Sequence, residues 1–260
     1  MRVLVITQEE PFFLPDFFKR MFEERKESIA GVVALSPASF RRRWFSMLKR
    51  LFNLYGFWGF IREGALFVWF KFLNSMSRFV RFRRFYSVAA TARHYSVDFI
   101  EESDINSSEF LDKVRRMDID LILSVSATQI FRRKLLDIPR LGCINLHTSP
   151  LPRYRGLMPC FWVLASGENR TAVTVHRMDA ELDNGEIILQ REVGIYPEDT
   201  LYSLIARAKS LGVELLLEAM DRIENGTVCP RVNDDSNATY FGFPTREDAK
   251  RFRKMGRRFR

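Results

Sequence analysis

Asn145 and His147 stand one residue apart at the end of an apolar run, 141–146, and Asp183 follows within the stretch Asp-Ala-Glu-Leu-Asp-Asn-Gly. An amide, an imidazole and a carboxylate are what a reaction needs when charge develops on an oxygen and a proton leaves a nitrogen. On an extended strand side chains alternate faces, so residues 145 and 147 point the same way. An apolar strand ending in two polar groups on one face, just before a Pro-rich loop, sets them where a parallel sheet opens to ligand. Taken singly, His147 reads as a core histidine, Asn145 as a strand-end cap and Asp183 as a turn residue. Their conjunction favours a catalytic reading.

The elements that must position these groups follow from hydrophobic periodicity. Strands are expected at 2–7 and 29–35 around a helix at 14–24, the opening of a parallel sheet. The alternation resumes with a strand near 98–100, a helix at 108–116, a strand at 119–125 and a short helix at 132–136, leading into the strand that ends at His147. After the loop 150–159 come a helix near 161–166, strands at 171–177 and 186–195, and a long amphipathic helix at 200–224 stopped by Asn225-Gly226. Between the last two strands lies 182–185, where Asn184-Gly185 is a hairpin signal, so Asp183 is expected on a turn at the sheet edge. The fold class is α/β: a Rossmann-like, mostly parallel sheet with helices on both faces, an inserted helical region and a C-terminal helix and tail. The expected division is a catalytic domain over 1–200, carrying an insertion at about 38–86, and a C-terminal helix and basic tail over 201–260.

The 260 residues suffice for a sizeable core, and 41 Lys and Arg against 32 Asp and Glu give a net charge of +9. Such a surplus suits nucleic acid, anionic lipid or a phosphorylated ligand without choosing among them. Three cysteines, 143, 160 and 229, form no CxxC pair, so neither a disulfide framework nor a zinc site is suggested, and they read as small hydrophobes. No metal is expected. The first apolar run is too short for a signal peptide and no run reaches the roughly 20 residues of a spanning helix, so a cytoplasmic protein is expected. The 24 phenylalanines call for a local explanation. They gather in the region 38–86, where Arg41-Arg42-Arg43-Trp44-Phe45, Lys49-Arg50-Leu51-Phe52 and the run 78–85 interleave cations with aromatics, with breaks expected near Gly56, Gly59 and Gly64. Three readings stand: packing on the domain or on a second subunit, peripheral attachment to an anionic membrane surface, and nucleic-acid binding. His94 reads as a surface residue, and the basic end 251–260 as a solvated tail.

The run from Asn145 through Ser149, Pro152, Arg155 and Gly156 to Pro159, followed by 173–190 with His176, Asp179 and Asp183, resembles the folate-dependent formyltransferases, a family that includes glycinamide ribonucleotide, methionyl-tRNA and nucleotide-sugar enzymes. The resemblance is strongest over about 118–195. It implies direct transfer of a formyl group from 10-formyltetrahydrofolate to an amine, with Asn145, His147 and Asp183 as the catalytic triad. Thr174, holding water beside Asp183, and His176 would support it. The segments implied to hold the pteridine, largely through backbone groups, are Thr128, Gln129, Ile130 and Phe131, and Asp179, Ala180, Glu181 and Leu182. Departures are Pro150, Asn184 and the opening loop Gln8-Glu9-Glu10-Pro11, whose carboxylates would repel a phosphate docked there.

The resemblance therefore implies a small-molecule amine acceptor, an amino sugar before others. Methionyl-tRNA is disfavoured because the tRNA enzymes carry a further C-terminal barrel, for which the residues after 200 leave little chain. Hydrolysis of 10-formyltetrahydrofolate is the rival enzyme reading, although its usual relatives carry an N-terminal domain not expected here. A non-catalytic scaffold recruited to membrane or RNA through 38–86 is the reading from outside enzymology.

Overall fold

The computed structural model describes residues 1–35, 40–77, 79–80 and 82–260, with the side chains of 40–44 left aside. The cluster at 41–44 and parts of the run 78–85 thus lie outside the described side chains.

Seven strands form one sheet in the order β3-β2-β1-β4-β5-β7-β8. They are β1 (Val3–Gln8), β2 (Ile29–Leu35), β3 (Phe99–Glu102), β4 (Leu121–Val125), β5 (Cys143–His147), β7 (Arg170–Arg177) and β8 (Ile187–Gly194). The first five are parallel, whereas β7 runs antiparallel to both β5 and β8. This is the Rossmann-like order expected, with an antiparallel edge.

The period-two pattern divides the core between the two faces. Val3, Val5, Ile144, Leu146, Val173 and Val175 enter one cluster, and Leu4, Ile6, Val33 and Cys143 the other. The first cluster is covered by α1 (Leu14–Arg25), α6 (Pro159–Ala165) and α7 (Leu201–Glu224). In α1 the buried Leu14, Phe17, Phe18, Met21 and Phe22 recur at helical spacing and form its inward stripe. The second cluster is covered by α4 (Ser108–Arg116) and α5 (Arg133–Leu136). It stops at Cys143. Beyond it that face carries Asn145 and His147 on β5, with His176 and Thr174 directly opposite on β7. The uncovered end of one sheet face is therefore polar, and it forms the site.

Two sequence expectations change. The segment 38–86 holds one long helix, α2 (Phe40–Met76), broken only at Gly56 (φ 68°, ψ 178°), while Gly59 and Gly64 continue the helix. A short helix, α3 (Val88–His94), follows it. The basic end is not a solvated tail: α8 (Arg246–Lys254) buries Phe252 completely, and the Phe252 ring stacks on Phe161, 4.8 Å between centroids. The antiparallel β7 and β8 are connected by nine residues, 178–186, which carry Asn184-Gly185 as expected. Gly185 serves that loop, since a Cβ there would lie 2.1 Å from the Arg177 carbonyl oxygen. Of the cysteines, Cys143 and Cys160 are buried and Cys229 is exposed. His94 is exposed, as expected.

Candidate active site

Asp183, with a left-handed φ of 52°, brings its carboxylate onto the polar face of β5. Its Oδ2 accepts the backbone N–H of Gly156 at 2.8 Å and lies 3.6 Å from His147 Nδ1. Its Oδ1 receives Asn145 Nδ2 at 3.4 Å. Three residues expected to act together are thus in mutual reach, all largely buried.

The hydrogen bonds fix the tautomers of both histidines. His147 Nε2 faces the Tyr154 carbonyl at 2.9 Å, so Nε2 carries a hydrogen and Nδ1, toward Asp183, is the nitrogen free to gain or lose one. His176 Nδ1 faces the Arg177 carbonyl at 2.7 Å and donates to it. Its Nε2 is then an acceptor and takes an Asn145 hydrogen at 3.1 Å. His176 is neutral in this arrangement, and its 3.7 Å approach to Asp183 is no ion pair. Burial drives its pKa down to about 4, outweighing the nearby carboxylate. Both Asn145 amide hydrogens are engaged, the longer contact to Asp183 being the one easily redirected to a substrate oxygen.

Thr174 is completely buried, but its hydroxyl donates to the Ser149 carbonyl at 2.6 Å and accepts from Gln190 Nε2 at 2.9 Å. It ties the loop after β5 to the sheet, and none of its hydrogen bonds among the described residues reaches Asp183. The segment 128–131 follows β4. Gln129 is anchored to the Ser103 carbonyl at 2.7 Å, Phe131 is buried, and Ile130 is 72% exposed. In the loop 178–186, Asp179 accepts from the Glu181 N–H at 2.9 Å, and Asp179, Ala180, Glu181 and Leu182 are exposed. Side-chain Oδ1 of Asn184 is buried without a partner among the described residues.

Two supports escaped sequence reasoning. Arg155 is fully buried and donates to Asp235 (2.7 Å), Tyr240 (2.6 Å) and Asn233 Oδ1 (2.9 Å). Asn233 in turn donates to the carbonyls of Asp183 (2.9 Å) and Gly185 (3.1 Å), so the far C-terminal segment holds the Asp183 turn in shape. Arg155 beside Gly156 in the Pro-rich loop was the available signal; Asn233 stood in a polar stretch with none. Gly156 belongs to the short strand β6 (Arg155–Gly156), which pairs with β9 (Tyr240–Phe241). At φ 99°, a Cβ on Gly156 would stand 2.3 Å from the Phe241 carbonyl oxygen, which requires glycine.

The opening loop uses its carboxylates internally. Glu10 accepts the N–H groups of Phe12 (2.8 Å), Phe13 (2.9 Å) and Leu14 at the start of α1, and Glu9 accepts those of Val88 (2.9 Å) and Ala89 (3.2 Å) at the start of α3. Burial pushes both carboxyls above their ordinary value. It pushes the Lys209 ammonium down; Lys209 donates to Ser126 Oγ at 2.6 Å. Beside the site, a cavity of about 410 Å³ is lined by Leu151, Arg153, Gln190, Arg231 and Asn237 among others, and Gln190 links it to Thr174.

Sheet order and site define a Rossmann-like α/β protein whose one open face presents an amide, an imidazole and a carboxylate together. Residues 75–220, more than half of the chain, match the formyl transferase family, and the chain belongs to that family. It is 40% identical over 161 residues to a methionyl-tRNA formyltransferase of Thermotoga maritima and 37% identical over 161 residues to that of Citrifermentans bemidjiense. Each match covers 62% of this chain and 51% of the other, so the chain spans about half the length of the curated relatives it matches. Among solved structures, a glycinamide ribonucleotide transformylase of Symbiobacterium toebii superposes with a TM-score of 0.62 at 18% identity, covering 90% of this chain and 94% of that one. An N-formyltransferase of Helicobacter canadensis, in complex with folinic acid and dTDP-3-aminofucose, gives 0.59 at 17% identity, covering 93% and 71%. At those identities the two structures speak for the fold alone.

Proposed function

We propose that this protein transfers a formyl group from 10-formyltetrahydrofolate to a primary amine at Asn145, His147 and Asp183. The observation that carries the reading is the convergence of these three side chains at the polar, helix-free end of one sheet face, with Asp183 within 3.6 Å of both partners. The folate supplies the formyl group. The residues present fit such a ligand: 179–182 are exposed beside the triad, and Asn184 Oδ1, buried next to them, has no partner among the described residues.

Asn145 and protonated His147 supply hydrogens where negative charge develops on the formyl oxygen, a donor of this kind contributing about 3–4 kcal/mol. Asp183 favours the protonated imidazole, whose Nδ1–H, 3.6 Å from the carboxylate, remains available to the formyl oxygen, and it takes the proton released by the attacking amine. As the new C–N bond forms, the C–N bond to the donor breaks, and the proton collected at Asp183 is returned to the departing nitrogen.

For the acceptor, an amino sugar is the first choice. The 410 Å³ cavity beside the loop 150–153 has the size of a small-molecule site. The helix starts that could receive a phosphate at the opening loop are occupied by Glu9 and Glu10, which supports an acceptor whose phosphates dock elsewhere. Methionyl-tRNA is the second choice, favoured by the 40% identity to the Thermotoga maritima enzyme over 161 residues. The test is mass spectrometry of amino sugars, nucleotide amino sugars and aminoacyl-tRNA incubated with protein and 10-formyltetrahydrofolate. Transfer predicts a formyl mass increase on one acceptor class; formate without a formylated product would replace transfer by hydrolysis.

A further inference from the structure

A second cavity, of about 330 Å³, shares no residue with the Asp183 site and lies where α2 meets the C-terminal segment. Arg62, Arg253, Arg257, Arg258 and Arg260 line it together with Trp58, and no lining side chain is acidic. Glu63 at its edge takes hydrogen bonds from Arg62 (3.0 Å) and Arg260 (3.3 Å). Among the described residues Arg253 and Arg258 donate to backbone carbonyls, including those of Leu54 (2.5 Å) and Glu198 (3.2 Å), and Arg253 lies over the Phe259 ring. A carbonyl satisfies an N–H without neutralising its charge, and Glu63 balances one of five, so the cavity keeps a net positive field suited to an anion such as a phosphate ester.

The surface beside this cavity is apolar. Twelve of the nineteen exposed large hydrophobic residues among the described residues fall between Phe45 and Val80. Along the second half of α2, Phe57, Ile61, Val68 and Phe72 recur at helical spacing, with Trp58 (81% exposed) and Trp69 alongside. The inner face is tied down, with Leu54 fully buried and Phe70 packed on Phe12 at 5.5 Å. A patch this concentrated requires cover that a free phosphate ion does not supply.

We propose that this face docks on an anionic lipid bilayer, with a lipid phosphate in the arginine cavity and the aromatic face of α2 at the boundary between headgroups and acyl chains. Charge complementarity selects this occupant. A second copy about a twofold axis would set the same basic rim against itself, whereas an anionic leaflet neutralises it. Trp and Phe on one side with Lys and Arg around them is the composition of a helix lying in the interface plane. Among the described residues no helix is long and apolar enough to cross a membrane, consistent with a helix that lies on it. The formyl-transfer site plays no part in this binding.

The experiment is flotation of the full chain with phosphatidylcholine vesicles, with and without phosphatidylglycerol. The chain should float with the anionic vesicles, leave them as salt rises, and show a blue shift of tryptophan emission on binding. Arg257→Glu with Arg258→Glu should lower partition about tenfold or more, and Trp58→Ser should lower both partition and the blue shift. Thermal melting checks each variant, and the milder Arg257→Gln with Arg258→Gln carries the test if charge reversal lowers Tm. Calorimetric binding of inorganic phosphate that the arginine variants abolish, without flotation, would make this a free-anion site and overturn the proposal. So would a vesicle-indifferent dimer that Trp58→Ser turns monomeric, or binding to single-stranded RNA in place of vesicles.

Discussion

His176 is held neutral by where its nitrogens point, and this has a consequence for stability. Its pKa falls from the ordinary 6.5 to about 4 in the folded chain, chiefly through burial. Between those values the unfolded chain binds a proton that the folded chain refuses, so stability present above pH 6.5 is lost as pH falls through the window. Urea unfolding across pH 4 to 7 should show a steeper pH slope for the natural chain than for His176→Gln; equal slopes would remove the role. At the same scale, His147→Ala should abolish transfer while retaining folate binding, and Asn145→Ala should slow it about 100-fold through the lost donor. Single-turnover rates beside folate titration separate the two effects. Asn145 and His147 were legible because strand parity is rigid. Asp183 was legible only through its motif, and Asn233 not at all, because a polar side chain pinning two carbonyls leaves no periodic mark.

At the scale of elements, strands and amphipathic helices announced themselves, and connections did not. Helix α4 spans the residues its periodicity marks, 108–116, and β2 the residues 29–35. The Asn184-Gly185 pair marked a turn in the connection 178–186, but not the path by which Asp183 leaves the sheet edge and returns over its face. Gly59 and Gly64 stay helical because one glycine costs about 1 kcal/mol in a helix, which neighbouring contacts offset. Gly156 is different. Gly156→Ala meets both a left-handed φ and the Phe241 carbonyl, and it displaces the N–H that Asp183 accepts. It should cost on the order of 2 kcal/mol or more and lower the transfer rate. A Tm and rate equal to the natural chain's would show that the β6–β9 pairing does not position the carboxylate.

At the scale of the molecule, the last 60 residues are part of the core. Leu204, Val213, Leu216 and Met220 of α7 and Phe252 of α8 share one cluster with Val173 and Val175 of the sheet. Phe252→Ala should destabilise the chain by about 3–5 kcal/mol, and residues 1–200 alone should show no cooperative unfolding transition by circular dichroism. A cooperative transition there would make 201–260 an accessory. The sequence hid this because α8 has two buried apolar positions, Ala249 and Phe252, in nine residues, too few to establish a period.

The link from Arg155 through Asn233 to the carbonyl of Asp183 joins groups 78 and 50 residues apart. The sheet strands that carry Asn145, His147 and His176 pair without it, but the carboxylate turn acquires its shape only when the C-terminal segment docks. Loss of the Arg155–Asn233 link alone would therefore leave a protein with its sheet assembled and its chemistry absent, one whose far-ultraviolet circular dichroism is that of the natural chain.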